Sequence, residues 1–166
     1  MQYTVEQLAY FAGLFDGEGC LHIGDKRISP KKSKGIRKLV NKSYNARVNF
    51  STAMSLSNTN FEVIEWLKSN FGGFITTQKK PGKPHWNLRK TWVMSPCSNI
   101  SNLLNFLLPF LIIKKKQALL MIEARAIIDS NTRRMQHSDQ DYNRLLELSS
   151  LIKNLNTRKI LPPYFP

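Results

Sequence analysis

The chain has 166 residues, enough for one ordinary domain with a buried core and too few for two large ones. Its 25 Lys and Arg residues against 11 Asp and Glu residues give a formal net charge of +14, which calls for a polyanionic partner. The two cysteines, Cys20 and Cys97, lack metal-ligand spacing and are too few for a disulfide scaffold, which excludes a disulfide-rich secreted domain and indicates free thiols in a reducing compartment.

The positive charge is concentrated in two long stretches of the chain. Residues 26–61 and 66–122 contain no acid, and each stretch holds nine of the 25 basic residues. Surfaces with a merely solubilising role intersperse both signs, so this distribution favours a nucleic acid. The basic stretches have the pattern of strands and turns, which does not suit a membrane surface. The N-terminus lacks the features of a signal peptide, so we expect an intracellular protein.

The first predicted element is a helix over residues 5–16. Thr4 and Gln7 have the spacing of a capping box at its start. Ala9, Ala12 and Gly13 form a stripe of small residues along this helix, which allows another helix to approach closely. Two partners suit such a stripe: another helix of the same chain, or the same helix of a second copy.

Two acids follow at the end of this helix. Asp16 and Glu18 alternate with Gly17 and Gly19, and no Lys or Arg precedes them in the chain. Because a helix C-terminus carries partial negative charge, we expect these carboxylates to need a compensating cation such as a metal ion. The two glycines predict a sharp turn and a close approach by another molecule.

Strand patterns flank a second helix. Residues 44–50 alternate between apolar and polar side chains, with Asn45, Arg47, Asn49 and Ser51 on the open face. A capping box over residues 59–62 predicts a helix that stops at Gly72-Gly73. Strands over residues 74–78 and 86–93 then flank a basic turn, which predicts a hairpin.

Helical patterns occupy the rest of the chain. Apolar spacing over residues 100–108 breaks at Pro109 and continues from 117 to 128, and a last helix begins near Ser138. Its predicted apolar stripe consists of Leu145, Leu148, Leu151, Ile152 and Leu155. The resulting order is αββαββα followed by further helices. It predicts an α+β fold, a four-stranded antiparallel sheet with helices on one face and an open basic face toward DNA.

Residues 11–19 resemble the nine-letter signature of the LAGLIDADG homing endonucleases. Glu18 keeps the second acid of that signature, and the outright matches are Ala12, Gly13, Leu14, Asp16 and Gly19. Residues 109–118 resemble the family's segment that enters the late core helices, so the resemblance covers roughly residues 5–128. It implies one endonuclease domain over 1–166, with a core over about 4–130 and a C-terminal helical extension over about 137–166.

The resemblance also implies a saddle-shaped, DNA-binding sheet and a signature helix at a dimer interface made by Ala9, Ala12 and Gly13. The implied activity is a metal-dependent, staggered double-strand break in a long, near-palindromic DNA target, which promotes intron or intein-type mobility. One signature supplies half an active site, so a homodimer is expected. Family members are often encoded in organellar or microbial introns, which suggests a mitochondrion, a chloroplast or a microbial cytoplasm.

Three residues are implied at the active site. Glu18 matches the metal-binding acid, with the Gly17 carbonyl as a second ligand for Mg²⁺, or alternatively Mn²⁺. Lys114 matches the basic residue near the scissile phosphate. We group Asp16 with them, although the resemblance implies that its role is more structural. A further polar role on the second strand has three candidates, Ser55, Ser57 and Asn58.

Fifteen of the eighteen basic residues in the two acid-free stretches are the candidates for DNA binding. They are Lys26, Arg27, Lys31, Lys32, Lys34, Arg37, Lys38, Lys42, Arg47, Lys79, Lys80, Lys83, Arg89, Lys90 and Lys116. The alternative function is an intron maturase, in which the same face would bind intron RNA through phosphate and 2′-OH groups. A third reading is a DNA-binding regulator without catalysis, which would tolerate the change Glu18→Gln.

Overall fold

Nine elements make up the part of the chain that the computed structural model describes, residues 3–27, 48–78, 88–95, 99–130 and 138–156. In chain order they are α1 (Val5–Glu18), β1 (Gly19–Arg27), β2 (Val48–Asn58), α2 (Phe61–Phe71), β3 (Phe74–Gln78), β4 (Arg89–Met94), α3 (Asn99–Leu107), α4 (Lys115–Ser130) and α5 (Asp139–Asn156). The four strands form one antiparallel sheet in the order β1-β2-β4-β3. The predicted α+β fold class is confirmed.

The helices cover one face of this sheet, and the core lies between the two layers. Alternate residues of the strands point into it, among them Ile23, Met54 and Trp92, and α1 adds Phe11 and Phe15. The Trp92 indole N–H donates to the Gly72 carbonyl at 2.7 Å, so this buried ring keeps its polar atom paired. The opposite face of the sheet is left open, as an antiparallel sheet allows.

Helix α1 runs two residues further than the predicted helix, through both acids. Gly17 is helical and the Gly19 backbone is extended, with φ of −71°, so neither glycine makes the sharp turn that we expected. Gly19 is needed for another reason. A Cβ atom at this position would overlap the Phe15 ring, so a side chain there would displace a buried aromatic residue. Among the described glycines, positive φ angles occur at Gly72 and Gly73.

The helix caps test the local sequence signals directly. The capping box of α1 is confirmed, because the Thr4 N–H donates to Gln7 Oε1 at 3.0 Å and the Gln7 N–H donates to Thr4 Oγ1 at 3.2 Å. The cap of α2 is Asn60 rather than the predicted Thr59, since Asn60 Oδ1 accepts from the Glu62 and Val63 N–H groups. The predicted end of α2 at Gly72 is confirmed.

Strand β2 continues well beyond the alternating pattern that predicted it. Phe50 lies on the core side as expected, with its ring 5.7 Å from that of Tyr142, but the strand goes on to Asn58. Thr52, Met54 and Leu56 are buried, and small residues alternate with them on the open face. The predicted strand residues 44–47 lie outside the described part of the chain.

Helix α5 contributes to the core. Leu145, Leu148 and Ile152 are fully buried, and Ser149 Oγ donates to the Ile23 carbonyl at 2.8 Å. Helix α5, which lies within the predicted C-terminal extension, covers β1 and packs on α4. The predicted apolar stripe is narrower, since Leu151 and Leu155 are exposed. No helix in the described ranges is long and apolar enough to cross a membrane.

Candidate active site and nucleic-acid face

The first acid at the end of α1, Asp16, is buried and held by backbone donors. Its Oδ2 accepts from the N–H groups of Ile112 and Ile113 at 2.7 and 3.1 Å, and its Oδ1 accepts from that of Lys114 at 2.8 Å. Consecutive N–H groups that converge in this way form a concave anion site. The compensation that we expected from a cation or metal is therefore supplied to Asp16 by the segment that precedes α4.

Lys114 completes the contact between the end of α1 and the start of α4. Its Nζ donates to the Asp16 carbonyl at 3.0 Å, which places an ammonium group at the negative end of the helix dipole. Two of the three predicted catalytic residues therefore contact each other directly. The charge of Lys114 also influences Cys20 at the start of β1. Partial burial raises the pKa of the Cys20 thiol, and the positive charge of Lys114 opposes that rise.

The second acid, Glu18, is exposed at the last position of α1. Its Oε2 accepts a hydrogen bond from Asn58 Nδ2 at 2.7 Å, while Asn58 Oδ1 accepts the Asn60 N–H at 2.7 Å. The second bond fixes which end of the amide faces Glu18, because only the NH₂ end can donate. Of the three candidates for the further polar role, Asn58 is the one that contacts Glu18.

The other two candidates have different surroundings. Ser57 Oγ and Thr91 Oγ1 lie 2.8 Å apart and share a hydrogen bond between β2 and β4. Ser55 is half-buried and pairs with Cys20 and Val93 in the sheet register. Both serines alternate with the buried Leu56, so they belong to the open face.

The oxygen atoms at this end of α1 suit a hard divalent cation. The last carbonyl groups of a helix receive no hydrogen bond from an N–H group of the same helix. The Gly17 carbonyl is one of them. Together with the Glu18 carboxylate it gives two oxygen donors of the kind that Mg²⁺ prefers. Among the described residues no group of three or more His, Cys, Asp or Glu side chains comes together. One chain therefore offers a partial ligand set, which leaves positions for water and phosphate oxygens.

Known structures share this architecture, although the sequence matches no protein-family model and no curated protein. I-Vdi141I, an archaeal intron-encoded homing endonuclease complexed with DNA, matches with a TM-score of 0.67 and 22% identity over 96% of this chain and 89% of that one. I-CvuI, a homing endonuclease in complex with the I-CreI target, matches with a TM-score of 0.62 and 16% identity over 95% of this chain and 86% of that one. This chain has the fold of the LAGLIDADG homing endonucleases.

A third structure differs in length. The I-SmaMI LAGLIDADG homing endonuclease bound to cleaved DNA matches with a TM-score of 0.60 and 14% identity, over 96% of this chain and 51% of that one. These matches confirm, at the level of the fold, the LAGLIDADG resemblance of residues 11–19. At these identities the likeness establishes the fold, and the roles of individual residues rest on the geometry of this chain.

Of the predicted DNA-binding residues that the structure describes, Arg89 lies on the open face of the LAGLIDADG sheet, and others lie at the ends of elements. Arg89 is exposed and lies on the same side of β4 as Thr91 and Val93, opposite the buried Trp92. Lys26 and Arg27 end β1, where they pair with Asn49 and Val48. Lys116 is exposed in the first turn of α4.

Lys90 does not belong to the open face, which corrects its predicted role. It alternates with Arg89 and Thr91 and therefore lies on the helix side, where its Nζ is 2.7 Å from Glu65 Oε1 and 4.8 Å from the centre of the Phe61 ring. The remaining predicted DNA-binding residues lie outside the described part of the chain: Lys31, Lys32, Lys34, Arg37, Lys38, Lys42, Arg47, Lys79, Lys80 and Lys83.

The stripe of small residues on the signature helix divides between the core and the surface. Ala12 is fully buried against the chain's own core, so its prediction as a dimer contact is wrong. Ala9 and Gly13 are exposed, and a Cβ atom on Gly13 would meet nothing within 4 Å. Beyond the end of this helix, Ile112 and Ile113 are 86% and 71% exposed, which is unusual for large apolar side chains.

Proposed function

We propose that the protein is a homing endonuclease that hydrolyses both strands of a long, near-palindromic DNA target with the help of a divalent metal ion. Its cut would promote mobility of the intron or intein-type element that encodes it. The observation that carries this proposal is the different treatment of the two signature acids. Backbone groups surround Asp16, while Glu18 stays exposed and oriented by Asn58. A protein that only binds nucleic acid has no chemical use for an oriented, exposed carboxylate beside a basic surface.

Hydrolysis of a phosphodiester needs an activated water and relief of negative charge on the attacking and leaving oxygens. Glu18 and the Gly17 carbonyl would hold Mg²⁺ or Mn²⁺, which supplies that activation and charge relief when bound. Asn58 restricts rotation of the Glu18 carboxylate through its 2.7 Å hydrogen bond. The Lys114 ammonium, held at the end of α1, adds positive charge that stabilises the anionic phosphate in the transition state.

We further propose a homodimer, because one chain carries one Glu18 and a double-strand cut needs two. One copy matches about half of the I-SmaMI chain, which leaves room in that protein for a second unit of similar size. The exposed Ala9, Gly13, Ile112 and Ile113 lie along and beyond the signature helix and would be covered by a second copy. A twofold dimer would bind a target with matching symmetry, so each half-site would resemble the other.

The test is cleavage of duplex DNA that spans the intron-free insertion point of the protein's own gene, with Mg²⁺ or with EDTA. The Glu18→Gln variant removes the charge of the candidate ligand, and Glu62→Gln removes another exposed acid as the matched control. We expect a double-strand cut by the wild type and by Glu62→Gln that disappears in EDTA and in Glu18→Gln. Equal cutting by Glu18→Gln would contradict the role of this residue.

The charge distribution suits RNA as well as DNA, since the basic residues of the acid-free stretches would bind a phosphate backbone in either case. An intron maturase is therefore the second candidate, with intron RNA as its partner. Uncut DNA in every lane, together with tight binding of the intron RNA, would favour the maturase. Uncut DNA with site-specific binding that Glu18→Gln retains would favour a DNA-binding regulator.

A further inference from the structure

The open face of the sheet carries a patch of small, apolar and hydroxyl-bearing side chains close to Glu18. The sheet register aligns Phe74, Val93, Ser55 and Cys20 in one row across all four strands. The next row consists of Thr76, Thr91 and Ser57, and Ser57 directly precedes the Asn58 that contacts Glu18. We call the open-face residues of β2, β3 and β4 in this region the inner patch. They are Ala53, Ser55, Ser57, Phe74, Thr76, Thr91 and Val93.

The polar atoms of the inner patch are largely used within the sheet. Ser57 Oγ and Thr91 Oγ1 share a 2.8 Å hydrogen bond, and Thr76 Oγ1 donates to the Thr91 carbonyl at 3.5 Å. Phe74, which is 46% exposed, and its cross-strand neighbour Val93 have no polar side-chain atom. The inner patch therefore presents mostly methyl, methylene and aromatic carbon. It includes none of the Arg, Lys, Asn or Gln side chains that make bidentate hydrogen bonds to base edges.

We infer that the inner patch reads the base pairs beside the cleavage centre through thymine methyl groups, so that each half-site of the natural target is thymine-rich there. This inference rests on the proposed endonuclease function. Thymine is the one base that presents a methyl group in the major groove, and Ala, Phe and the Thr methyl are the usual contacts for it. A G·C pair presents no methyl group in the major groove, so only its hydrogen-bonding groups would face these carbon atoms, and they would be left unpaired.

The residues that border the inner patch are of another type, which limits this type of reading to the inner patch itself. Arg89, at the next open-face position beyond Thr91, is exposed and belongs to the residue type that binds guanine. On the other side, His22 pairs with Ala53 and is also exposed. Side chains that can hydrogen-bond to bases thus border the inner patch on β4 and on β1, whereas the row of Phe74 and Val93 offers carbon.

The experiment is a selection from a symmetrically randomised duplex library with wild-type protein, followed by binding measurements on the selected duplex. We expect thymine to be enriched at the positions next to the cut. Replacing those thymines by deoxyuridine removes only the methyl groups and should weaken binding by about fourfold for each methyl that loses its contact. The same replacement at outer positions should have a smaller effect.

Protein variants connect the effect to the inner patch. Phe74→Ser and Val93→Ser should abolish the difference between thymine and deoxyuridine. Thr77→Ser changes β3 at the position that pairs with Lys90, on the helix side, and should leave the difference intact. If the selection enriches a duplex whose inner positions carry no thymine preference, or if deoxyuridine binds equally well, the inference is overturned while the proposed function stands. A selection that enriches no duplex at all would overturn the proposed function and the inference with it.

Discussion

Asp16 and Glu18 are only two residues apart, yet they lie in opposite surroundings. Successive helical residues are rotated by about 100°, so these two side chains point about 200° apart around α1. Asp16 therefore faces the chain's own segment before α4 and accepts three backbone N–H groups, while Glu18 faces solvent and accepts the Asn58 amide. The comparison teaches that two acids of one motif can have separate surroundings: one is buried among backbone donors, and the other stays exposed and available to a ligand.

The largest expected effect is on stability, at Asp16. The change Asp16→Ala leaves three backbone N–H groups without their acceptor, and hydrogen bonds to a charged group contribute about 1.5–3 kcal/mol each. Allowing for partial hydration, we expect a loss of about 3–5 kcal/mol in the free energy of unfolding, measured by urea denaturation. Glu18→Ala is the matched control and should change it by less than about 1 kcal/mol. Equal losses would remove the distinction between the two acids.

The next effect on stability distinguishes Gly13, which lies within α1, from Gly19, which caps its end. Gly19→Ala should cost about 1–3 kcal/mol, because the added methyl overlaps the buried Phe15 ring. Gly13→Ala should instead stabilise the isolated chain by about 0.5–1 kcal/mol through helix propensity, since nothing lies within 4 Å of its added Cβ. Thermal unfolding of both variants at low protein concentration measures the difference. A destabilising Gly13→Ala under those conditions would show that this face is covered within one chain.

A smaller effect on stability, with a larger one on activity, is expected at Asn58. Asn58→Ala removes an exposed hydrogen bond, so the free energy of unfolding should fall by about 1 kcal/mol or less. Cleavage should slow by about tenfold, which corresponds to about 1.4 kcal/mol, because the Glu18 carboxylate loses its orienting donor. Single-turnover kinetics measure this change. Thr59→Ala, an exposed residue just after β2, should cleave at nearly the wild-type rate, and a matching loss there would point to general damage at this end of β2.

The smallest effect concerns an acid that is paired by a charge rather than by backbone groups. The hydrogen bond from Lys90 lowers the pKa of Glu65 below its ordinary value of 4.5. A lowered pKa in the folded state stabilises the fold above the ordinary pKa, and this contribution disappears as the pH falls through the folded value. Wild type and Glu65→Gln should therefore differ slightly in unfolding temperature at pH 7 and converge in acid. A difference that grows in acid would contradict this ion pair.

Local signals in the sequence predicted most of the elements. The Thr4–Gln7 capping box, the stop at Gly72 and the β3 strand were all confirmed, because each depends on residues within a few positions of one another. The signature pattern indicated the LAGLIDADG fold for the same reason. The cap of α2 was placed one residue too early because Thr59 and Asn60 are both good cap residues, and only the folded structure shows which one the helix uses.

The errors concern long-range contacts that no local pattern contains. The donors to Asp16 lie 96 to 98 residues away, so the sequence could not distinguish them from a metal ion. Ala12 and Gly13 are both small, and which of them is buried depends on the orientation of the helix relative to the core. Lys90 is an exception: its role was predicted from its charge, although the local alternation with Trp92, which is buried, fixes its side of the sheet.

The measurement that tests the division of roles most directly is the single-turnover cleavage rate of two isosteric variants, Asp16→Asn and Glu18→Gln. Both are assayed with Mg²⁺ and a target duplex at a temperature where circular dichroism shows each protein folded. The different surroundings of the two acids predict that Asp16→Asn still cuts, within about tenfold of the wild-type rate, and that Glu18→Gln does not. Cutting by Glu18→Gln, or no cutting by folded Asp16→Asn, would contradict the assignment of Asp16 to the scaffold and Glu18 to the chemistry.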